Sequence, residues 1–495
     1  MRFRDSETAR RLRFLSTRVA ESTATPQAKL ALASLGEVRR DCQPRVDPVS
    51  LEIGIVHLGL GAFHRAHEEI YTEDAMASSG DHSWAVCGVS PRGSSSMSAL
   101  QKQDGLYTVL EREHSVAARV VGSLRSVLSA RSERTAVIDQ LARASTRIVS
   151  FTVTEAGYLN PSAVVELLCH GIAERRRVGG GPITALCCDN IPRNGEFLRS
   201  RILDAAVNDP PLTRWIEQNV SFPSGVVDRL VPTPMISDMI DAADAIGVRD
   251  YCAVSCESFS QWIIQDDFIG GRPPWELAGV IFTASVEPYE LAKLRILNGA
   301  HSALAYLGVL KNHELIANVL EDDLATEFTT RLLRDEVVPT LTPPPDVDLN
   351  EYSLNVLSRF RNRALNHHCA QVASDGSQKL PIRVLPSLCA NLASGRPVHL
   401  ASLVVAAWMH YISKRRNDEG TPLVVVDPYA ERLARLLHNA DTPETVVDVL
   451  LSVDEIFNAE LSSNRLLRDE LVEWVGLFST GGTQLALSRA LHAKD

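Results

Sequence analysis

Ile53-Gly54-Ile55-Val56-His57-Leu58, followed by Gly59-Leu60-Gly61-Ala62-Phe63-His64, is the stretch on which the fold turns. Its first six residues are mostly apolar and β-branched, the composition of a strand buried on both faces of a parallel sheet. The two glycines then permit a tight turn, and Arg65 to Met76 predicts a helix. Strand, glycine turn and helix in that order open a Rossmann-type βαβ unit, in which backbone amides approach a pyrophosphate. His64 stands where the usual fingerprint has its third glycine. A generic βα turn with two glycines therefore fits the same residues.

The next strand is predicted over Trp84 to Val89, and Ser90-Pro91-Arg92-Gly93-Ser94-Ser95-Ser96 follows it with no acidic residue for a ribose 2′-hydroxyl. An arginine among hydroxyls suits a 2′-phosphate, and so NADP. Equally, Arg92 stacks on adenine or faces solvent while the serines serve NAD. Ile148 to Val153 reads as a strand ending at Thr154-Glu155-Ala156-Gly157-Tyr158, and Ile183 to Cys188 as one ending at Asp189-Asn190. Polar groups just past a strand lie where open α/β sheets bind ligands, although such residues also form turns.

After Phe282 the pattern becomes amphipathic and helical, as in Pro288 to Leu310 and Leu400 to Ile412, with a proline-rich loop at Pro339 to Pro345. The expected fold class is thus an α/β Rossmann-type N-terminal domain followed by a mainly α-helical C-terminal domain. The expected boundaries are an arm over 1–48, a dinucleotide-binding domain over 49–283 and a substrate and catalytic domain over 284–495. Within Tyr289 to His301, residues Lys293, Asn298 and His301 lie at about 0°, 140° and 80° on an ideal helical wheel. Such a trio suits metal-free oxidation of an alcohol: an amine takes the hydroxyl proton while Asn and His donate to the developing alkoxide. A polar helix face with a surface lysine fits the same spacing.

Composition narrows the class. The chain has 495 residues, 45% hydrophobic and 22% charged, which is globular rather than disordered. Its net charge of -11 argues against a nucleic-acid-binding surface. No apolar run approaches the ~20 residues that cross a bilayer. Nine scattered cysteines include Cys187-Cys188 and the pair Cys252 and Cys256, with no spacing that completes a zinc site, so no metal is expected and the compartment expected is a reducing cytoplasm. Arg10-Arg11 in the arm superficially matches a twin-arginine signal, but Ser16 to Thr23 is polar and no export is expected. Asp5, Glu7 and Glu21 count against a mitochondrial transit peptide. A surface arm or short helix leading through Pro26 and Pro44 is the expectation.

Several motifs together resemble the mannitol dehydrogenase family, the metal-independent long-chain polyol dehydrogenases that include fructuronate reductases. They are Gly59 to His67, Thr154 to Tyr158, Cys188-Asp189-Asn190 with Asn194-Gly195, Phe222-Pro223 with Val227-Asp228-Arg229, and Lys293-x4-Asn298-x2-His301. They occur in the family's order and extend from about residue 50 to Pro428, most of the chain. The resemblance implies that Lys293 is the general base, Asn298 and His301 the oxyanion-stabilising pair, and Glu290 a carboxylate passing the proton to solvent. It implies substrate-binding roles for Asn190, Asp228, Lys379 and Gln371. Candidate cofactor contacts are Gly59, Gly61, Phe63, Arg92, Ser94 and Glu155, for NAD or NADP.

Two departures bear on specificity. Acidic residues near Ser94 and Ser95 of NAD-specific mannitol members are absent here. Gln371 stands where mannitol enzymes tend to have Arg and fructuronate reductases tend to have Gln. With Gln378-Lys379-Leu380-Pro381 and Lys293-Leu294-Arg295, this tilts the expectation towards D-mannonate and D-fructuronate, with Lys379 or Arg383 as cation for a carboxylate. Mannitol and fructose come next. A dinucleotide-binding sensor without chemistry is the remote alternative, set against an intact Lys293, Asn298 and His301.

Overall fold

The computed structural model describes residues 28–91, 93, 95–113, 115–153 and 163–492. It divides into two compact units, Met1–Val286 and Glu287–Asp495.

In chain order the strands of unit 1 are β1 (Ile53–Leu58), β2 (Ala85–Ser90), β3 (Tyr107–Arg112), β4 (Val116–Val121), β5 (Leu124–Ser129), β6 (Ile148–Phe151), β7 (Ile183–Cys187), β8 (Val220–Ser221), β9 (Gly225–Asp228), β10 (Val254–Cys256), β11 (Gln261–Gln265) and β12 (Ile281–Thr283). Six form a parallel sheet in the order β5-β2-β1-β6-β7-β8. Among the described residues two three-stranded sheets, β10-β3-β4 and β12-β11-β9, form besides it. Alternation along β1 explains its central place: Val56 and Leu58 pack with Phe151, Leu168 and Leu198, whereas Ile55 packs with Trp84, Tyr107 and Trp262. Both faces are thus covered, as a parallel strand requires.

The single helix expected after the glycine turn is two. α1 (Ala62–Ala66) stops at His67, whose φ and ψ are −130° and −85°, and α2 (Glu68–Ser79) resumes beyond it. The Ala66 carbonyl that would continue the helix accepts instead from Arg229 Nη1 at 2.6 Å, and Ile70 N donates to His67 O. The arm also differs from a surface segment over its described part. Leu30, Val38 and Cys42 are buried against Ile246 and Val248, and Lys29 bridges Arg249. Residues 1–27 lie outside the described residues.

Unit 2 is helical. Its elements include α3 (Glu287–Ala292), a π-helical segment Lys293–Asn298, α4 (Gly299–Leu310), α5 (Leu349–Phe360), α6 (Cys369–Val372), α7 (Gly376–Arg383), α8 (His399–Lys414) and α9 (Arg465–His492), which is broken at Gly482, where φ is +67°. Every residue of α4 is buried, and it packs on α8, which in turn lies along α9. A helix buried on every side belongs in a core. Among the described residues no helix is long and apolar enough to cross a membrane.

Candidate active site

Register aligns Leu58 with Phe151 and Phe151 with Cys187, so Gly59, Thr152 and Cys188 share the carboxyl edge of the sheet, where ligands of such folds bind. Gly59 has φ +115°, and a Cβ there would stand 2.2 Å from the Thr152 carbonyl oxygen. Only glycine fits. Gly61 differs: its φ is −121°, and a Cβ would meet only Gly59 O, at 3.5 Å. Packing of the chain does not demand glycine at 61; the open space suits a phosphate approaching the backbone. Because α1 has only five residues, its dipole is short, and an anion brought to the turn would meet the turn amides rather than a long helix. Phe63 is half-buried and stacks on His67, centroids 5.0 Å apart.

Other residues expected in unit 1 are placed as follows. Asn190 is exposed just beyond β7. Its neighbour Asp189 accepts from Val153 N at 3.1 Å. Asp228 ends β9 and is buried. Arg92, Ser94, Glu155 and the whole run Thr154 to Tyr158 lie outside the described residues.

Beneath the turn is a polar cluster that sequence reading missed. His57, His64, Glu68 and Glu69 are all buried. His57 and His64 stack, with centroids 3.4 Å apart and an interplanar angle of 11°. His64 donates from Nδ1 to Glu68 at 3.1 Å and from Nε2 to Glu69 at 3.0 Å. Burial opposes its charge, but the hydrogen bonds to the two carboxylates prevail and raise its pKa to about 9. His57 is instead held down to about 4 by burial and by the charge of His64. Donor atoms of His57, His64 and Glu68 lie within 4.8 Å of one another, and here they serve one another as hydrogen-bond partners. The i,i+4 spacing of His64 and Glu68 was visible in the sequence; their meeting with His57 on β1 was not.

In unit 2, Glu290 ends up buried on α3, while Lys293 opens the π segment and Asn298 closes it. A regular α-helix was expected over these residues. The π segment's i→i+5 pairing is underwound, bringing Lys293 and Asn298, five residues apart, closer to one face than the roughly 140° of an ideal α-helix. Such segments recur at functional sites. Asn298 and His301 are buried, and neither Asn298 Nδ2 nor His301 Nε2 has a hydrogen-bond partner among the described residues. Each such orphan costs about 1–3 kcal/mol, which an incoming oxygen would recover.

Charge around His301 is positive. Burial first, then His367, Arg383, Lys379 and Arg359, lower its pKa well below the ordinary value, leaving a neutral ring that can donate one N–H. Lys379 is half-buried on α7 and donates to Val372 O at 3.1 Å and to Ser374 Oγ at 3.3 Å. Gln371 is exposed on α6, one residue from that carbonyl. His367 and Phe360, which sequence reading did not single out, both stack on His301. They lie about 60 residues away in the chain, beyond the reach of any local pattern.

A parallel sheet with a glycine turn on its carboxyl edge, followed by a helical unit bearing a lysine, asparagine and histidine set, defines the architecture of a Rossmann-type dehydrogenase. Residues 53–277 match the mannitol dehydrogenase Rossmann domain, and residues 285–476 the mannitol dehydrogenase C-terminal domain. The chain therefore belongs to the mannitol dehydrogenase family and is an oxidoreductase of the polyol and sugar dehydrogenase kind. It is 36% identical over 451 residues to D-mannonate oxidoreductase of Escherichia coli, covering 85% of this chain and 92% of that protein. To mannitol 2-dehydrogenase of Aspergillus fumigatus it is 35% identical over 450 residues, covering 84% and 89%. Among solved structures, mannitol 2-dehydrogenase of Pseudomonas fluorescens in ternary complex with NAD and D-mannitol superposes with a TM-score of 0.86. Its identity is 33%, with 94% of this chain and 100% of that chain covered.

Proposed function

We propose that this protein is an NAD(P)-dependent, metal-independent reductase interconverting D-mannonate and D-fructuronate. The observation that carries the reading is the pair of buried, unpartnered donors, Asn298 Nδ2 and His301 Nε2, following Lys293 on one helical run. In the oxidative direction Lys293 Nζ takes the hydroxyl proton of the secondary alcohol, and Asn298 and His301 donate to the oxygen as it becomes negative. Glu290 then moves that proton from Lys293 towards solvent. Bound nicotinamide supplies the two-electron acceptor for the carbinol carbon. Gly59, Gly61 and Phe63 hold the dinucleotide, together with Arg92, Ser94 and Glu155; Asn190, Asp228, Gln371 and Lys379 orient the sugar.

Arg359, Lys379 and Arg383 act together on His301, and a cationic surround favours a substrate that carries a carboxylate. Resemblance to the Escherichia coli D-mannonate oxidoreductase supports the same class. A second reading, mannitol and fructose, is favoured by the likeness to the structure bound to NAD and D-mannitol. Initial rates followed by nicotinamide absorbance, with D-fructuronate and with D-fructose, each with NADH and NADPH, decide between them. Fast turnover of fructuronate is expected; a clear preference for fructose would move the enzyme to the second reading. Lys293→Ala is expected to lose roughly 10²- to 10⁴-fold in kcat while still binding NADH. Turnover close to wild type in that variant removes the lysine from the mechanism.

A further inference from the structure

Little within α7 itself holds that helix in place. It has eight residues and an interior proline, Pro381, which has no N–H to give to the preceding turn. Helices this short are marginal without outside support. Asp375, at the position that caps its N-terminus, adopts φ 55° and ψ 34° and makes no side-chain cap; its carboxylate lies 3.9 Å from Lys379 Nζ instead. Yet α7 carries Lys379 and Arg383, two of the cations around His301.

The absent cap is supplied by Asp427, 50 residues further along the chain. Its Oδ2 accepts from Ser377 N at 2.8 Å, and its Oδ1 accepts from Ser377 Oγ at 2.6 Å and from Tyr429 N at 2.8 Å. Without it the Ser377 amide would be an orphan donor of a helix N-terminus, where the helix dipole also favours a carboxylate. The adjacent Val426 carbonyl accepts from Asp375 N at 2.9 Å. From beneath, Gly376 fits so closely that a Cβ would stand 2.3 Å from Trp408 Nε1 on α8 and 2.7 Å from the Tyr306 hydroxyl on α4. The far end of α7 meets α4 beside His301: Arg383 Nη1 donates to Ser302 Oγ at 3.3 Å, and a Cβ on Gly299 would stand 3.0 Å from Arg383 O. The helix is therefore pinned at its start by Asp427 and at its end by α4.

We propose that Asp427 is a positioning residue for substrate binding: by capping α7 at Ser377 it fixes the height and rotation of that helix, and so the place at which Lys379 meets the sugar. The proposal rests on the reading that Lys379 binds substrate. Asp427 acts through the backbone of α7, since both its oxygens are taken by Ser377 and Tyr429. An asparagine side chain accepts at one oxygen only. Asp427→Asn therefore loses at least one of the two bonds to Ser377 at almost constant volume.

Steady-state kinetics of the full chain, with whichever of D-fructuronate and D-fructose is turned over faster, test this as a double-mutant cycle with Lys379→Met. Asp427→Asn is expected to raise KM for the sugar roughly five-fold, the effect of one ordinary hydrogen bond. Its kcat should fall less than two-fold, and NADH affinity, read by fluorescence, should stay within two-fold of wild type. In the Lys379→Met background the same change should move KM less than two-fold, because the group that Asp427 positions is gone. Ser377→Ala, which removes only the Oγ bond, serves if the asparagine variant does not fold. It is expected to raise KM roughly two- to five-fold with the same dependence on Lys379. A full further loss in the Lys379→Met background overturns the proposal, since a general loosening of the fold does not depend on that lysine. Wild-type KM in both Asp427→Asn and Ser377→Ala, with Lys379→Met defective, overturns it too. Wild-type KM in Lys379→Met overturns the reading of the lysine as a sugar ligand, and the proposal with it.

Discussion

His367 lies face to face with His301, ring centroids 5.0 Å apart and planes 28° apart. Phe360 stacks on the same imidazole at 4.7 Å and 24°. An imidazole held by two stacked rings has its plane set, which fixes the direction in which Nε2 points.

Because burial and the neighbouring His368 hold His367 near a pKa of about 4, its contribution is the ring surface and not a charge. His367→Ala is predicted to lower kcat roughly 3- to 10-fold, the worth of one aromatic contact. His367→Phe should retain most of the activity. A phenylalanine variant as slow as the alanine one, in steady-state assays, would give His367 a polar role instead.

Asn298→Ala is predicted to cut kcat by about 10²- to 10³-fold, the usual effect of deleting one oxyanion donor. KM for the sugar should change far less, because the bond is strongest when the oxygen is charged. Equal losses in binding and turnover would show that the amide holds the ground state.

Lys379→Met is predicted to lower kcat/KM for fructuronate roughly 10- to 100-fold, the range of a hydrogen bond to a charged group. The effect on fructose should be several-fold smaller. Parallel losses on both sugars would mean that the lysine binds a hydroxyl common to them.

Stability should depend on pH through His64, whose pKa in the folded protein is raised to about 9 against 6.5 when exposed. Between those values the folded state holds a proton that the unfolded state has released. The stabilisation is therefore complete below about pH 6.5 and lost as pH rises through about 9. Urea midpoints measured between pH 6 and 9.5 should fall for the wild type, and His64→Gln should flatten that slope. An unchanged slope in the variant would assign the titration elsewhere.

The amino-acid sequence by itself determined the features that rest on local pattern. β1, β2, β6 and β7 were visible within two or three residues at their ends because short buried strands are written as apolar, β-branched runs. The Gly59 and Gly61 turn and the Lys293, Asn298 and His301 set were visible because they lie within one local stretch. Tertiary structure alone decided the break at His67, since the Ala66 carbonyl is taken by Arg229, 163 residues away. The same holds for the ring of His367 on His301, and for His57 meeting Ser150 and Thr152 across the β1 and β6 register. The underwound turn from Lys293 to Asn298 leaves no mark in residue type that an ordinary helix would lack. Local periodicity reports which face of an element is apolar; which distant group meets a buried donor is set by packing, and only the folded chain specifies it.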